Sequence, residues 1–479
     1  MSHSADQWHG RGMRTSGLDL PLRIDRSDPR PLSVQLASGL RAAVTGGLLQ
    51  PGDRLPASRA LAGELGISRG TVTAAYEQLD GEGYLRSTQG GGTYISGSLA
   101  PSAATAPRRP AHEHPPARAL LDLTPGQPDT RRLADSSWRR SWREASTESL
   151  HVTEPPAAGL SELRTEIAEH LRIARGLASR TEDLIVTAGT REGLTLLVQS
   201  MQLDSARPIL VGMENPGYPS ACAVLTQLGA EVLYLPVDDD GLMVDHLPTG
   251  NPCPQIIFTT PSHQYPLGGR LSVARRQALL RWARHHEAVI VEDDYDSEFR
   301  HTGMPLPAMA ALDPATVVHL GTFSKILTPS LRAGYLVASP ALISRMVAVR
   351  ERMGNPVSIQ TQLALTHHLA SGGVRRHIAR TRRDYRHRRE LLIRTLAGCS
   401  SVSTRGLDGG LHAVLDLRVG TDVASLVSRA AEEGLLVADL AEYYFDGRPD
   451  PGVVLGYGGA TDTELVRSLK ILIDLIENP

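Results

Sequence analysis

Residues 316–335 read TVVHLGTFSKILTPSLRAGY, a short strand-forming run that opens into a loop carrying Thr322, Lys325 and Arg332. The lysine makes the stretch decisive. Of the 50 basic residues in the 479-residue chain, only Lys325 and Lys470 are lysine, and the rest are arginine. Arginine replaces lysine well in surface charge and anion binding, but its guanidinium does not deprotonate and cannot condense with a carbonyl. Lys470 lies on the amphipathic terminal stretch LVRSLKILIDLIENP and reads as a solvated face residue. Lys325 stands at a strand-to-loop turn between a hydroxyl and a guanidinium, the setting for a reactive amine beside an anion.

Two other strand ends complete that chemistry. In AVIVEDDYDSEF, residues 288–299, the strand ends at Asp293, and Tyr295 follows two residues on. In DLIVTAGTREGLTLLVQSM, residues 183–201, a strand passes through Gly189, Thr190 and Arg191 into a helix, so backbone N–H groups and the helix dipole face an anion. An amine, a carboxylate that can hold a pyridine nitrogen protonated, and two anion cradles are the requirements of pyridoxal 5′-phosphate (PLP).

Around these sites, apolar strand-like runs (PILVGM, QIIFTTP, AVIVED) alternate with helical periods, which predicts an α/β fold with a mostly parallel sheet covered by helices on both faces. From about Val357, arginine-rich helices mix with strands such as LHAVLDL, and a smaller C-terminal α/β subdomain is expected. With 41% hydrophobic and 21% charged residues the composition is that of a globular protein, and no apolar run is long enough to span a bilayer. Residues 1–19 are polar, lack a secretory signal and are expected to be a disordered lead on a soluble, cytoplasmic protein. Cys222, Cys253 and Cys399 are far apart and read as buried small hydrophobes; with no HExxH among seventeen histidines, no metal is expected.

Residues 20–96 form a separate pattern. Leu36, Leu40 and Val44 mark one helical stripe, Leu61 and Leu65 a second, and Val72, Tyr76 and Leu79 a third, with Gly66 breaking the second from the third. The length and spacing are those of a helix-turn-helix whose second helix is capped by Ser68 and presents Ser68, Arg69 and Thr71 to the major groove. YLRSTQGGGTYIS follows as a wing, with a tip at Gln89 and Gly90. Basic residues barely outnumber acidic ones here, so charge alone leaves a protein-interaction module open. Residues 97–119, rich in proline and alanine, predict a semi-extended linker to a body at 120–479.

The sequence from Arg30 to Ser96 resembles the GntR-type winged helix-turn-helix, and that resemblance implies contacts to double-stranded operator DNA from Arg54, Arg59, Ser68, Arg69, Thr71, Gln89 and Gly90. The body resembles the fold-type I PLP-dependent transferases, class I aminotransferases among them. The order of modules resembles the MocR/GabR subfamily of GntR regulators. The resemblance implies Lys325 as the Schiff-base lysine, Asp293 at the pyridinium, Tyr295 at the ring hydroxyl, Thr322 and Arg332 at phosphate, and Tyr218 of ENPGYPS stacked on the ring. His263 of TPSHQYPLGGRLS takes the place of the asparagine that many aminotransferases carry beside the cofactor. Relatives that bind amino acids commonly add an arginine clamp for the carboxylate; here VVLGYGGATD has Gly459 in that region and PGYPS has Ser220, leaving Arg405 or Arg448 to act from another direction. The expectation is a homodimeric transcription regulator, not a physiological catalyst, whose DNA binding responds through an aldimine at Lys325. The missing clamp favours PLP itself as signal, as in PdxR-type regulators of vitamin B6 synthesis, over an amine or amino-acid effector. A working aminotransferase with an accessory DNA-binding head is the alternative.

Overall fold

The computed structural model describes residues 22, 24–88, 92–97, 121–148, 154–203, 205, 207–303, 306–447 and 450–478. The expected lead, nearly all of the expected linker, the wing tip at Gln89 and Gly90, and Arg448 lie outside them. The chain separates into two compact units, 1–114 and 115–479.

In the first unit, α1 (Leu32–Thr45), α2 (Ser58–Leu65) and α3 (Arg69–Gly81) precede an antiparallel hairpin of β1 (Leu85–Thr88) and β2 (Gly92–Ile95). The turn between α2 and α3 is set by Gly66, which is left-handed at φ 62° and so closes α2 where a side chain would be strained. Ser68 then starts α3 by accepting a hydrogen bond from the Thr71 N–H. The three stripes converge as expected: Leu36, Leu40, Leu61, Val72, Tyr76 and Leu79 share one buried core, with Val44 and Leu65 at its edge.

The second unit begins with β3 (Leu121–Asp122), α4 (Ser136–Thr147) and α5 (Ser161–Arg175). It continues through β4 (Leu184–Thr187), α6 (Thr190–Gln202), β5 (Leu210–Asn215), α7 (Pro219–Gln227), β6 (Glu231–Asp238), β7 (Gly241–Leu242), β8 (Ile256–Thr259), α8 (Val273–His285), β9 (Val289–Asp294), β10 (Val317–Thr322) and β11 (Gly334–Val337). Among the described residues these strands form one sheet in the order β4-β11-β10-β9-β8-β5-β6-β7, parallel except for β11 and β7. Alternate residues of each strand enter opposite cores. Val186, Ile257, Ile290 and Val317 pack into one, and Ile185, Phe258, Val291 and Val318 into the other, which is why the strands read as unbroken apolar runs.

After α9 (Pro340–Met353), α10 (Ile359–Ala370) and α11 (Gly373–Leu396) comes the smaller subdomain: β12 (Val402–Arg405), β13 (His412–Leu417), α12 (Val423–Glu432), β14 (Leu435–Leu436), β15 (Ala438–Asp439), β16 (Gly452–Gly456) and α13 (Asp462–Glu477). Its sheet runs β12-β13-β16-β15, all antiparallel, while β14 pairs in parallel with β3. Of the three cysteines, Cys399 is buried as expected, but Cys222 and Cys253 are only half-buried, and Cys253 donates a hydrogen bond to the Gly250 carbonyl; all three are free.

Candidate functional site

Parallel strands expose their C-terminal ends on one edge of the sheet, where loops meet and ligands bind in open α/β folds. Here β4, β8, β9 and β10 end around an open pocket. Gly189, Thr190, Arg191, Tyr218, Asp293, Tyr295, Thr322, Lys325 and Arg332 all line it. Residues read from four separate stretches of sequence therefore share one cavity.

Asp293 is buried in the floor, and among the described residues its carboxylate accepts from the Thr190 hydroxyl at 3.3 Å. Burial, and then the charge of neighbouring Asp294, push its carboxyl up to about 7 against an ordinary 3.8. Lys325 is pushed down from its ordinary value, first by burial and further by Arg191, while Asp293 and Asp296 act the other way. A lysine so placed keeps more of the neutral, nucleophilic amine near neutral pH. Its Nζ donates to the Gly126 carbonyl at 2.7 Å.

The anion cradle is built by backbone. Gly189, at φ 102°, caps α6 with no side-chain hydrogen bond, which leaves the first N–H groups of the helix unclaimed by a side chain. Arg332 is held at φ 47°, a left-handed conformation that few non-glycine residues adopt. Neither Arg191 nor Arg332 makes an ion pair with a described residue, and with Thr322 and Ser324 beside them they offer two guanidinium and two hydroxyl groups to one anion, the Thr190 hydroxyl being given to Asp293. A buried carboxylate with no ion pair among the described residues, an amine held below its ordinary value and a set of anion donors fit the ring nitrogen, aldehyde and phosphate of PLP.

His263 is placed differently from the other nine residues. It does not line this pocket but lies behind Tyr295, whose hydroxyl donates to the His263 carbonyl at 3.1 Å. Asp296 draws the imidazole away: His263 Nδ1 meets Asp296 Oδ2 at 2.8 Å, and Nε2 faces the Gly406 carbonyl at 3.3 Å. Burial depresses the imidazole, but the Asp296 charge and hydrogen bond outweigh it, and His263 stands above its ordinary value. His412 lines the pocket with Nε2 on the Pro266 carbonyl at 3.0 Å, and burial takes it down to about 4, so it is neutral. Ligand atoms of His263, Asp296 and His412 lie within 4.8 Å of one another, but the hydrogen bonds just described already engage all three.

Sequence reasoning missed Gly126, Thr260, Tyr265, Ser324 and His412, all of which line the pocket. Gly126 is at φ 92°, and a Cβ there would lie 2.5 Å from the Lys325 Nζ; its only signal is the Pro-Gly pair in TPGQPD. As for a carboxylate clamp, Gly459 packs against Gln127, and Arg405 is held by two bonds to Asp416 at 3.0 and 2.8 Å from its Nε and does not reach the pocket. Arg191 and Arg332 are the arginines among the described lining residues, the first on the opening turn of α6 and the second on the loop before β11, both at the anion cradle.

In the first unit, the hydroxyls of Ser68 and Thr71 face each other at 2.8 Å, so capping engages both. Arg69 is exposed on the first turn of α3, with Nε 3.4 Å from Ser58 Oγ. Arg59 is exposed on α2, and Arg54 is exposed with its guanidinium 6.0 Å from the Tyr94 ring centre.

Comparison with known proteins matches residues 32–95 to the gntR family of bacterial regulatory proteins and residues 118–448 to the class I and II aminotransferases. The chain is 43% identical over 96% of its length to the HTH-type pyridoxine biosynthesis transcriptional regulator PdxR of Corynebacterium glutamicum, covering 99% of that protein. It is 34% identical to the probable rhizopine catabolism regulatory protein MocR of Rhizobium meliloti, over 94% of this chain and 95% of that one. Among solved structures, an archaeal alanine:glyoxylate aminotransferase superimposes with a TM-score of 0.70 at 25% identity, covering 75% of this chain and 91% of the other. Thermus thermophilus LysN, an α-aminoadipate aminotransferase complexed with N-(5′-phosphopyridoxyl)-L-leucine, gives 0.67 at 22% identity over 75% and 92%.

Proposed function

The chain belongs to the MocR-type GntR transcription regulators, a GntR helix-turn-helix fused to a class I/II aminotransferase domain, and from that premise we propose that its second unit senses PLP and adjusts the DNA binding of the first. The observation that carries this reading is the pairing of Lys325 with buried Asp293 in one pocket, beside an anion cradle with no carboxylate of its own to satisfy.

In this reading Lys325 supplies the amine, Asp293 takes the ring nitrogen, Tyr218 flanks the ring, and Arg191, Thr190, Thr322 and Arg332 hold the phosphate. PLP, when bound, supplies an aldehyde that condenses with a primary amine and absorbs near about 420 nm. Thr190 steadies Asp293 through its hydroxyl, and Tyr295 closes the wall toward His263. His412, neutral beside His263 and Tyr295, and Tyr265 offer no cation to an amino-acid carboxylate. The signal is therefore assigned to PLP itself, not to an amino acid, and the identity to a regulator named for pyridoxine biosynthesis supports the same assignment.

We assign DNA contact to Arg69, Arg54 and Arg59, and two chains to each operator, as a twofold operator requires. The test is a titration of ligand-free protein with PLP followed by absorbance. The band near 420 nm is expected to saturate at one PLP per chain and to be absent in Lys325→Ala. A band that persists in that variant overturns the assignment.

A further inference from the structure

Lys325 does not wait in an empty space. Its amine is fastened 2.7 Å from the Gly126 carbonyl, 199 positions earlier in the chain, and Gly126 has no Cβ that would displace it. The two ends of the segment around Gly126 are held very differently. Downstream, Asp129 is buried and accepts from Arg388 at 2.6 Å, Arg131 at 2.9 Å and, through its N–H, meets the Tyr385 hydroxyl at 2.8 Å. Upstream, the chain is held by the two-residue strand β3, through Leu121 N–H to Gly434, Leu123 N–H to Leu436 and Gly456 N–H to the Leu123 carbonyl. This end has few backbone hydrogen bonds, with Leu123 buried beside the strand. β3 is the first described element of the second unit.

We propose that the Gly126 carbonyl is the group by which the chain registers the state of Lys325: it positions the free amine, and it is released when that amine condenses with an aldehyde. The inference rests on the cofactor reading above. In the condensation the nitrogen forms a double bond to the aldehyde carbon, and two of its hydrogens leave with the carbonyl oxygen as water; no oxidant or reductant is needed. The free amine has two or three hydrogens, of which one reaches Gly126, whereas the condensed nitrogen keeps at most one and has a new neighbour. Gly126 loses its donor. Because Asp129 stays pinned, slack passes upstream into β3.

Hydrogen exchange on the full chain tests this. Amides of residues 121–127 are expected to exchange about tenfold faster in PLP-saturated wild-type protein than in ligand-free protein, the effect of losing one hydrogen bond to a charged or polarised donor. Residues 129–133 should be unchanged. Lys325→Met, which keeps most of the side chain and removes the donor, should show the fast exchange without any PLP. Gly126→Ala is expected to match it and to slow the appearance of the band near about 420 nm. Unchanged exchange at 121–127 in ligand-free Lys325→Met refutes the latch. No band in wild-type protein refutes the cofactor reading, and with it the trigger, while the Lys325→Met comparison still reports on the hydrogen bond itself.

Discussion

Replacing Asp293 by asparagine separates the cost of the pocket from its use. Asp293 is 5% exposed and held near 7, against 3.8 for an ordinary aspartate. Its folded-state value is thus raised, so the group favours folding below about pH 4 and progressively disfavours it as pH climbs through 7. At 1.36 kcal/mol per tenfold change in proton affinity, the ionised group weighs about 4 kcal/mol against the ligand-free fold at pH 8. Asparagine has nearly the same shape and can still meet the Thr190 hydroxyl, but it never ionises. Ligand-free Asp293→Asn should therefore match wild type near pH 4 and gain on it steadily toward pH 8, by up to about 4 kcal/mol. The assay is denaturant unfolding of the second unit, followed by near-ultraviolet signal at a series of pH values. PLP should reverse the order at pH 8, because a protonated ring nitrogen supplies the cation that the wild-type carboxylate lacks. If the two proteins keep a constant difference in stability from pH 4 to 8, Asp293 is not an uncompensated buried acid and the argument for a pyridine partner fails.

Arg191→Ala and Arg332→Ala should each weaken PLP binding by roughly 10- to 100-fold, the loss of one charge-assisted contact, while leaving the affinity for unphosphorylated pyridoxal unchanged; equal losses for both ligands in absorbance titrations would remove these residues from the phosphate. Arg69→Ala should lower affinity for promoter DNA flanking the gene and flatten its salt dependence by about one charge, with the band near about 420 nm intact. Gly321→Ala places a Cβ against the Tyr335 ring on the strand that carries Thr322; the overpacking should cost about 1–3 kcal/mol by denaturant titration, and no loss would mean that the sheet edge under the pocket yields.

Much of this site was legible because its residues sit at strand ends whose apolar runs announce themselves. Lys325 stood out through the near-absence of lysine elsewhere, and nine of the ten residues read as cofactor ligands line one pocket. Distance in sequence hid the rest. His412 opens β13 in the smaller subdomain, and Gly126 precedes every large element of the body, so their approach to Lys325 is a product of packing across the whole unit. The acidic run EDDYD was ambiguous for another reason. Strand alternation sends Asp293 to the pocket but Glu292 and Asp294 to the other face, toward His319 and Arg175, while Asp296, past the strand, captures His263. No sequence pattern says which carboxylate wins that histidine. Strands β6 and β11 were also passed over, the latter because four residues following the Lys325 loop read as its tail and not as the antiparallel strand wedged between β10 and β4.

The central claim is that DNA binding answers to the chemical state of Lys325. It is tested most directly by measuring the affinity of full-length protein for promoter DNA flanking its gene, with and without saturating PLP, for wild type and Lys325→Ala side by side. A coupling of about 5- to 150-fold is expected in wild type and none in the variant. Wild-type protein that shows the full band near about 420 nm and binds DNA with the same affinity in both states would contradict the account.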